Sequence, residues 1–106
     1  MTDEITLSQD DDGNRGAYRI AVEGSDHPAE LTWRKAVGAR SDDRGEVRIA
    51  DHTFTPPQAR GKGIAFKLVE ALIADARENG FTIIPACPYV AMQFDRHPEW
   101  ADLRGE

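Results

Sequence analysis

The sequence contains few of the residues from which small proteins build cross-links or metal centres. Its single cysteine, Cys87, cannot form an internal disulfide, which is typical of a protein from a reducing compartment. The three histidines are far apart in the chain and show no paired-ligand spacing, so we expect no bound metal. Residues 10–12 are three consecutive aspartates, and a solvated segment explains them better than a metal site does.

Long apolar runs and an excess of positive charge are also missing. No stretch approaches the length of a membrane-spanning helix, and residues 1–4 lack the basic and apolar parts of a secretory signal, so we expect a cytoplasmic protein without a membrane partner. The net charge of −6 argues against a nucleic-acid partner, because affinity for the phosphate backbone comes from clustered Lys and Arg. The length of 106 residues predicts one domain over residues 1–106, with residues 1–16 as a flexible arm or the approach to a hairpin.

Alternating apolar and polar residues predict three strands in the first half of the chain. They lie at residues 18–23, 30–37 and 46–55, and Pro56-Pro57 ends the third because proline cannot donate to a sheet ladder. In the third strand, simple alternation would place residues 47, 49, 51 and 53 on one face unless a bulge intervenes.

Helical periodicity dominates the second half. Apolar residues recur at spacings of three and four from Ile64 onward, and Asn79-Gly80 is a stop signal for this helix. A fourth strand at residues 81–84 follows, and the strand–helix–strand crossover makes strands three and four parallel. A short helix at residues 90–96 and a last helical turn at 99–103 complete an α+β fold with a mixed sheet.

The turn before the long helix is the most informative stretch of the chain. Gly61 and Gly63 allow a tight backbone turn whose N–H groups point outward, and the helix N-terminus adds unpaired N–H groups and the positive end of its dipole. Arg60 and Lys62 add positive charge in an otherwise acidic chain. A diphosphate site is the favoured interpretation, and a solvated turn that needs glycine for its geometry is the alternative. The spacing fits neither a nucleotide-hydrolysing P-loop nor a dinucleotide fingerprint.

Four short motifs carry a family resemblance. Gln58, Gly61 and Gly63 match Gln/Arg-x-x-Gly-x-Gly/Ala, and this segment resembles the acetyl-CoA-binding segment of GNAT-type N-acetyltransferases. The His-Thr pair at 52–53, Pro-Ala-Cys-Pro-Tyr-Val at 85–90 and His-Pro-Glu-Trp at 97–100 are similar to a short, single-domain, cysteine-bearing subfamily of these proteins. The resemblance extends over residues 18–103.

The resemblance implies a trimmed GNAT fold whose sheet splays between strands three and four. Acetyl-CoA, as co-substrate, would lie in the split, with its pantetheine along Phe54-Thr55 and its diphosphate on the backbone of residues 60–65. Family members carry additional N-terminal helices that shape the acceptor site, and this chain has no room for them, so the amine acceptor stays unidentified. The implied cofactor-binding residues are Phe54, Thr55, Arg60, Gly61, Lys62, Gly63, Ile64 and Ala65.

Two residues are candidates for catalysis. Cys87 stands at the end of strand four, and in the subfamily that it resembles the matching cysteine faces the thioester; it is either a nucleophile or a buried residue that lines the pocket. His52 is a candidate general base, oriented by Asp51 or Thr53, although a structural role explains it equally well. Activation of the thiol would require a nearby cation or a helix N-terminus, and His52 or His97 could serve.

Two further side chains are weaker candidates for a catalytic role. Tyr89 is a candidate proton donor to the departing CoA thiolate, whereas His97 is interpreted as a packing residue before Pro98. Trp33 and Trp100 are expected in the core or as partial surface anchors.

Three functions remain open at this point. The first is transfer of an acetyl group from acetyl-CoA to an amine, by direct attack or through Cys87. The second is an acyl-CoA-binding module without turnover, in which Cys87 and His52 serve packing. The third is a small interaction protein that kept the fold and binds partners through its acidic face.

Overall fold

The computed structural model describes residues 7–36 and 46–105. Within them the chain forms five strands, two α-helices and two 3-10 helices. The strands are β1 (Leu7–Asp11), β2 (Arg15–Ile20), β3 (Ala29–Lys35), β4 (Val47–Phe54) and β5 (Thr82–Pro85). The α-helices are α1 (Ile64–Asn79) and α2 (Pro88–Arg96), and the 3-10 helices are Pro57–Ala59 and Pro98–Leu103.

The five strands form one sheet in the order β1-β2-β3-β4-β5. The pairs β1–β2, β2–β3 and β3–β4 are antiparallel, whereas β5 pairs parallel with β4 after the crossover through α1. The mixed sheet with a single strand–helix–strand crossover confirms the predicted α+β fold class.

The number of strands was predicted wrongly. The sequence indicated four, with residues 1–16 as an arm or the approach to a hairpin, but β1 pairs antiparallel with β2, and β2 begins at Arg15 rather than at residue 18. All five residues of β1 are exposed, so no apolar alternation marks this strand. Residues 1–6 and the predicted strand end at Val37 lie outside the described residues.

The β1–β2 turn explains the consecutive aspartates. Asp11 accepts a hydrogen bond from the backbone N–H of Gly13, and Asp12 accepts from Asn14 and Arg15, each at 2.8 Å. These backbone donors favour the ionised carboxylate and lower the pKa of Asp12. Gly13 adopts a left-handed conformation with φ +91°. The run is therefore a turn-forming segment, in which side-chain oxygens satisfy backbone N–H groups.

Helix α1 covers β2 and β3 and supplies much of the core. Its buried residues recur at the predicted helical spacing, and each fully buried Leu or Val contributes about 1.5–3 kcal/mol relative to its exposed state. Gly80 ends the helix in a left-handed conformation with φ +76°, as the Asn-Gly stop signal predicts. Among the residues described, no helix is both long and apolar enough to cross a membrane. The buried residues of α1 are Leu68, Val69, Leu72, Ile73 and Ala76.

One charged side chain lies within this core. The guanidinium of Arg48 is 3.9 Å from the ring centroids of both Trp33 and Phe81. Its Nη1 lies 3.7 Å from a carboxylate oxygen of Asp75, and that oxygen accepts a 2.5 Å hydrogen bond from the Tyr18 hydroxyl. The cluster joins β2, β3, β4 and α1 around one buried cation.

Candidate functional site

Strands β4 and β5 separate halfway along β4. Their parallel pairing runs from Val47 opposite Thr82 to Ala50 opposite Pro85 and ends there. The carbonyl of Ala50 then accepts the backbone N–H groups of Ala86 and Cys87 at 3.0 and 2.9 Å, where the chain turns into α2. The rest of β4 keeps β3 on one side and has no described strand on the other. This end of β4 therefore offers a free edge for main-chain pairing with an extended ligand.

A β-bulge at Asp51 reorients β4 at the same point. Trp33 of β3 lies opposite Ala50 and the preceding Thr32 lies opposite His52, so Asp51 is the extra residue. Simple alternation would have kept residues 47, 49, 51 and 53 on one face, and the bulge breaks that pattern. Thr53 lies opposite the fully buried Leu31 and shares its face, toward α1. His52 lies on the other face.

The glycine turn has the backbone of an anion site. Gly61 and Gly63 adopt left-handed conformations with φ +81° and +73°, and a Cβ at either position would meet no atom within 4 Å. Gly63 is the N-cap of α1, no side chain caps this end, and the first turn contains no acidic residue. Unpaired N–H groups and the positive end of the helix dipole therefore face open space, flanked by the exposed Arg60 and Lys62.

Gln58 holds the glycine turn in place. Its side-chain amide donates a 3.0 Å hydrogen bond to the carbonyl of Gly24, in the turn between β2 and β3. Gln58, a residue of the family motif, thus links the loop before α1 to the turn between β2 and β3.

A cavity of about 310 Å³ joins the glycine turn to the end of β4. Six of the eight predicted cofactor-binding residues line it, whereas Lys62 does not, and Phe54 is 40% exposed beside Glu30 of β3. Ala59 and Phe66 could not be predicted from the sequence, because their apolar side chains look like ordinary core positions. The cavity is lined by Thr53, Thr55, Ala59, Arg60, Gly61, Gly63, Ile64, Ala65, Phe66 and Tyr89.

The two predicted catalytic residues lie on different sides of β4. Cys87 is only 6% exposed, and its Sγ lies 3.4 Å from the hydroxyl oxygen of Thr53. His52 is exposed on the opposite face, and no contact between its ring and the thiol is present among the described residues. The structure therefore brings Cys87 to the cavity end of β4 but does not pair it with the histidine.

Tyr89 and His97 have distinct surroundings near the cavity. Gln93 donates a 3.0 Å hydrogen bond to the Tyr89 hydroxyl oxygen, so the phenolic proton is free for another acceptor. The His97 ring stacks on Trp100 at a centroid distance of 4.1 Å and on Phe66 at 5.5 Å, and its Nδ1 lies 2.8 Å from the Gln93 carbonyl. These contacts agree with a packing role for His97.

A larger depression of about 670 Å³ lies on the sheet face away from α1. Ion pairs cross it, including Arg34 with Asp51 at 3.5 Å and Arg19 with Asp10. It contains neither a glycine turn nor a helix N-terminus. We therefore place the candidate site in the smaller cavity, where backbone donors and the free strand edge meet.

Comparison with known proteins identifies the family and the fold. A family model described as GCN5-related N-acetyl-transferase matches residues 17–103. The crystal structure of a ribosomal-protein-alanine N-acetyltransferase from Brucella melitensis biovar Abortus 2308 is similar, with a TM-score of 0.55 and 19% sequence identity; the match covers 91% of this chain and 67% of that one. At this identity the structural likeness shows the fold alone, and it confirms the expected GNAT fold. Because the family match runs from β2 to the final 3-10 helix, the chain belongs to the GCN5-related N-acetyltransferase family.

Proposed function

We propose that this protein binds acetyl-CoA and transfers its acetyl group to an amine. One observation carries the proposal: the uncapped N-terminus of α1, with Gly61 and Gly63 in left-handed conformations, opens into the same cavity as the free end of β4. The backbone N–H groups of residues 61 and 63–65 suit a diphosphate, whereas those of Arg60 and Lys62 are bonded to the carbonyls of Pro57 and Ala59, each at 3.3 Å. The amide groups of pantetheine suit the free edge of β4 near Thr55. The arrangement thus complements the two chemically distinct halves of CoA.

The proposed reaction is direct attack by the amine. Its nitrogen lone pair attacks the thioester carbonyl carbon, a C–N bond forms, the C–S bond breaks, and CoA leaves as the thiolate. His52 lies at the free end of β4 on the face away from the cavity, so it can serve as the base only for an amine that approaches the thioester from that face. In this proposal His52 accepts the amine proton, and Tyr89, whose proton is free, donates one to the thiolate.

Cys87 takes no part in the transfer in this mechanism and lies buried beside the cavity. Its polar contact is with the neutral hydroxyl of Thr53, and it packs within the hydrophobic core cluster. No described contact of the thiol is with a cation, although Cys87 is the N-cap of α2. The buried thiol also keeps the second function open, because an acyl-CoA-binding module without turnover would show the same contact.

The test begins with acetyl-CoA binding by the complete chain. At a ligand concentration of about one hundred times Kd, binding should stabilise the fold by about 2.7 kcal/mol and raise Tm by roughly 10 °C or more. CoA without the acetyl group serves as a second ligand, and intact mass after incubation reveals any acetylated protein. A panel of amines, from small metabolites and polyamines to peptide N-termini, then tests turnover.

Gly61→Ala and Gly13→Ala provide a matched pair of variants. Both glycines are left-handed, and a Cβ at either would meet open space, so each substitution costs about 1–2 kcal/mol of backbone strain. Only Gly61→Ala should abolish the stabilisation by CoA, since Gly13 lies in the β1–β2 turn. Stabilisation without turnover would favour the binding module. Absence of any CoA effect on the wild type would reject the proposal and favour the interaction protein.

A further inference from the structure

Asp51, the extra residue of the β4 bulge, is held by two side chains of β3. The Thr32 hydroxyl donates a 2.5 Å hydrogen bond to one of its carboxylate oxygens, and the Arg34 Nε lies 3.5 Å from the other. Thr32 and Arg34 are two residues apart, so both project from the same face of β3. We call Thr32, Asp51 and Arg34 the bulge clamp.

The clamp lies where the strand changes register. Upstream of Asp51, β4 is held on both sides, by β3 and by β5; downstream, β3 is its only described neighbour in the sheet. A bulge leaves its extra residue outside the regular ladder, so its conformation depends on side-chain contacts more than that of an ordinary strand residue. The two contacts with β3 replace the missing restraint at this point.

The register of the site depends on this bulge. If Asp51 re-entered a regular ladder, each later residue of β4 would shift by one position and turn to the other face. Thr53 would then leave the face of Leu31 and lose its 3.4 Å contact with Cys87, and Thr55 would turn away from the cavity.

We propose that Thr32 and Arg34, acting through Asp51, position the end of β4 for CoA. This inference rests on the proposed function, because CoA is the ligand whose pantetheine pairs with that edge. The three residues are positioning residues, since none of them lines the cavity. Their effect on the ligand passes through the β4 backbone.

The experiment compares two near-isosteric changes at Thr32. Thr32→Val removes the hydroxyl that binds Asp51, whereas Thr32→Ser keeps it. Thr32→Val should weaken CoA binding by about five- to tenfold, the loss expected for one exposed hydrogen bond, and Thr32→Ser should stay within about twofold of the wild type. Asp51→Ala should resemble Thr32→Val, and the double variant should lose little more than either single one.

Hydrogen exchange in the protein without ligand measures whether the bulge clamp restrains the end of β4. In Thr32→Val the amides of residues 51–55 should exchange about tenfold faster, whereas those in the middle of α1 keep the wild-type rate. General destabilisation would accelerate both segments alike. Glu30→Gln is the control, because it removes the carboxylate charge that pairs with Arg19 at 3.0 Å on the same sheet and leaves the three clamp residues unchanged.

The outcomes separate this inference from the proposed function. Faster exchange at residues 51–55 together with weaker CoA binding, both restored in Thr32→Ser, would support the positioning role. Unchanged exchange, unchanged affinity, or an equal loss in Thr32→Ser or Glu30→Gln would overturn it while CoA binding by the wild type stands. A wild-type protein that does not bind CoA would reject the proposed function and this inference together, before any variant is compared.

Discussion

The hydroxyl oxygen of Thr53 and the thiol sulfur of Cys87 lie 3.4 Å apart, across the split between β4 and the start of α2. The contact joins two residues 34 positions apart in the chain. It requires both the bulge that turns Thr53 toward α1 and the bonds from Ala86 and Cys87 to the Ala50 carbonyl. A hydroxyl and a thiol thus occupy the point where β4 and β5 separate.

Replacing Cys87 should affect the fold more than the reaction. Because direct attack by the amine needs no thiol, Cys87→Ala should keep CoA affinity within about threefold and the rate of transfer within about tenfold of the wild type. The lost sulfur should cost about 1 kcal/mol of unfolding free energy, since the thiol is a buried core atom. Calorimetric titration, steady-state kinetics and chemical denaturation measure these three quantities.

The control for this prediction is Thr53→Val, which keeps the side-chain shape and removes the hydroxyl beside the sulfur. Complete loss of transfer in Cys87→Ala, with acetyl bound to the wild type but not to the variant in intact-mass spectra, would contradict it. That result would make Cys87 a covalent acetyl carrier.

The charges flanking the glycine turn should bind CoA through its phosphates. Arg60 and Lys62 are exposed, so each contact is worth about 0.5–1 kcal/mol, and replacing both by Gln should weaken CoA binding about tenfold. The loss should shrink as ionic strength rises, because salt screens exposed charges. Titrations at low and high salt measure it. Lys35→Gln, at the exposed end of β3, is the control, and an equal loss in that variant would show that only overall charge matters.

Tyr18 should make the fold sensitive to alkali. Burial, together with the hydrogen bond to Asp75, raises the pKa of its hydroxyl above the ordinary value. A raised pKa in the folded state means that the full contribution to stability is present below the unfolded pKa of about 10 and is lost as the pH rises above it. The loss should approach 1.4 kcal/mol per pH unit while the folded pKa exceeds the pH.

The measurement is the free energy of unfolding of the wild type and Tyr18→Phe between neutral pH and pH values above the unfolded pKa of about 10. Tyr18→Phe should be less stable near neutral pH, because it loses the hydrogen bond, but its stability should decline less steeply in alkali. Comparing the two slopes removes the contribution of the lysines, which titrate in the same range. Parallel curves would contradict the prediction.

Replacing Arg48 should destabilise the fold, even when the positive charge is kept. Arg48→Lys loses the planar group between Trp33 and Phe81 and should cost about 1–2 kcal/mol. Arg48→Ala also leaves the largely buried Asp75 without its cation and should cost about 3–5 kcal/mol. Urea denaturation measures both values. Arg77→Ala, which breaks an exposed pair with Asp102, should change stability by at most about 1 kcal/mol.

If Arg77→Ala lowered the free energy of unfolding as much as Arg48→Ala does, the buried position of Arg48 between two rings would contribute no more than an exposed ion pair. Arg48→Lys as stable as the wild type would show that charge alone suffices at this position. Either result would contradict the role assigned to the two aromatic rings.

The long helix and the strand before it were predictable because their signals are local. The apolar period from Ile64 and the stop at Gly80 depend on residues a few positions apart, and the left-handed conformations at Gly61 and Gly63 follow from what only glycine adopts readily. Strand β1 was missed for the opposite reason. Its five exposed residues form a strand because β2 offers a free edge, and no feature of residues 7–11 alone reveals that edge.

The candidate site was likewise predictable only where its sequence signals are local. The glycine turn and most of its lining residues could be identified from a short motif, whereas Ala59 and Phe66 could not, since an apolar side chain beside a cavity looks like one in the core. The separation of His52 from Cys87 could not be predicted from the sequence either. It results from one extra residue in β4, and a bulge becomes visible only when both paired strands are known.

The sequence by itself determined the crossover helix, its glycine turn and the family to which the chain belongs, because these depend on short-range periodicity and on the backbone freedom of glycine. Only the tertiary structure decided the register beyond Asp51, the contact of Thr53 with Cys87 and the anchoring of Gln58 on Gly24. The physical reason is that each of these joins segments distant in the chain. Their geometry is set by strand pairing and side-chain packing, which no local pattern encodes.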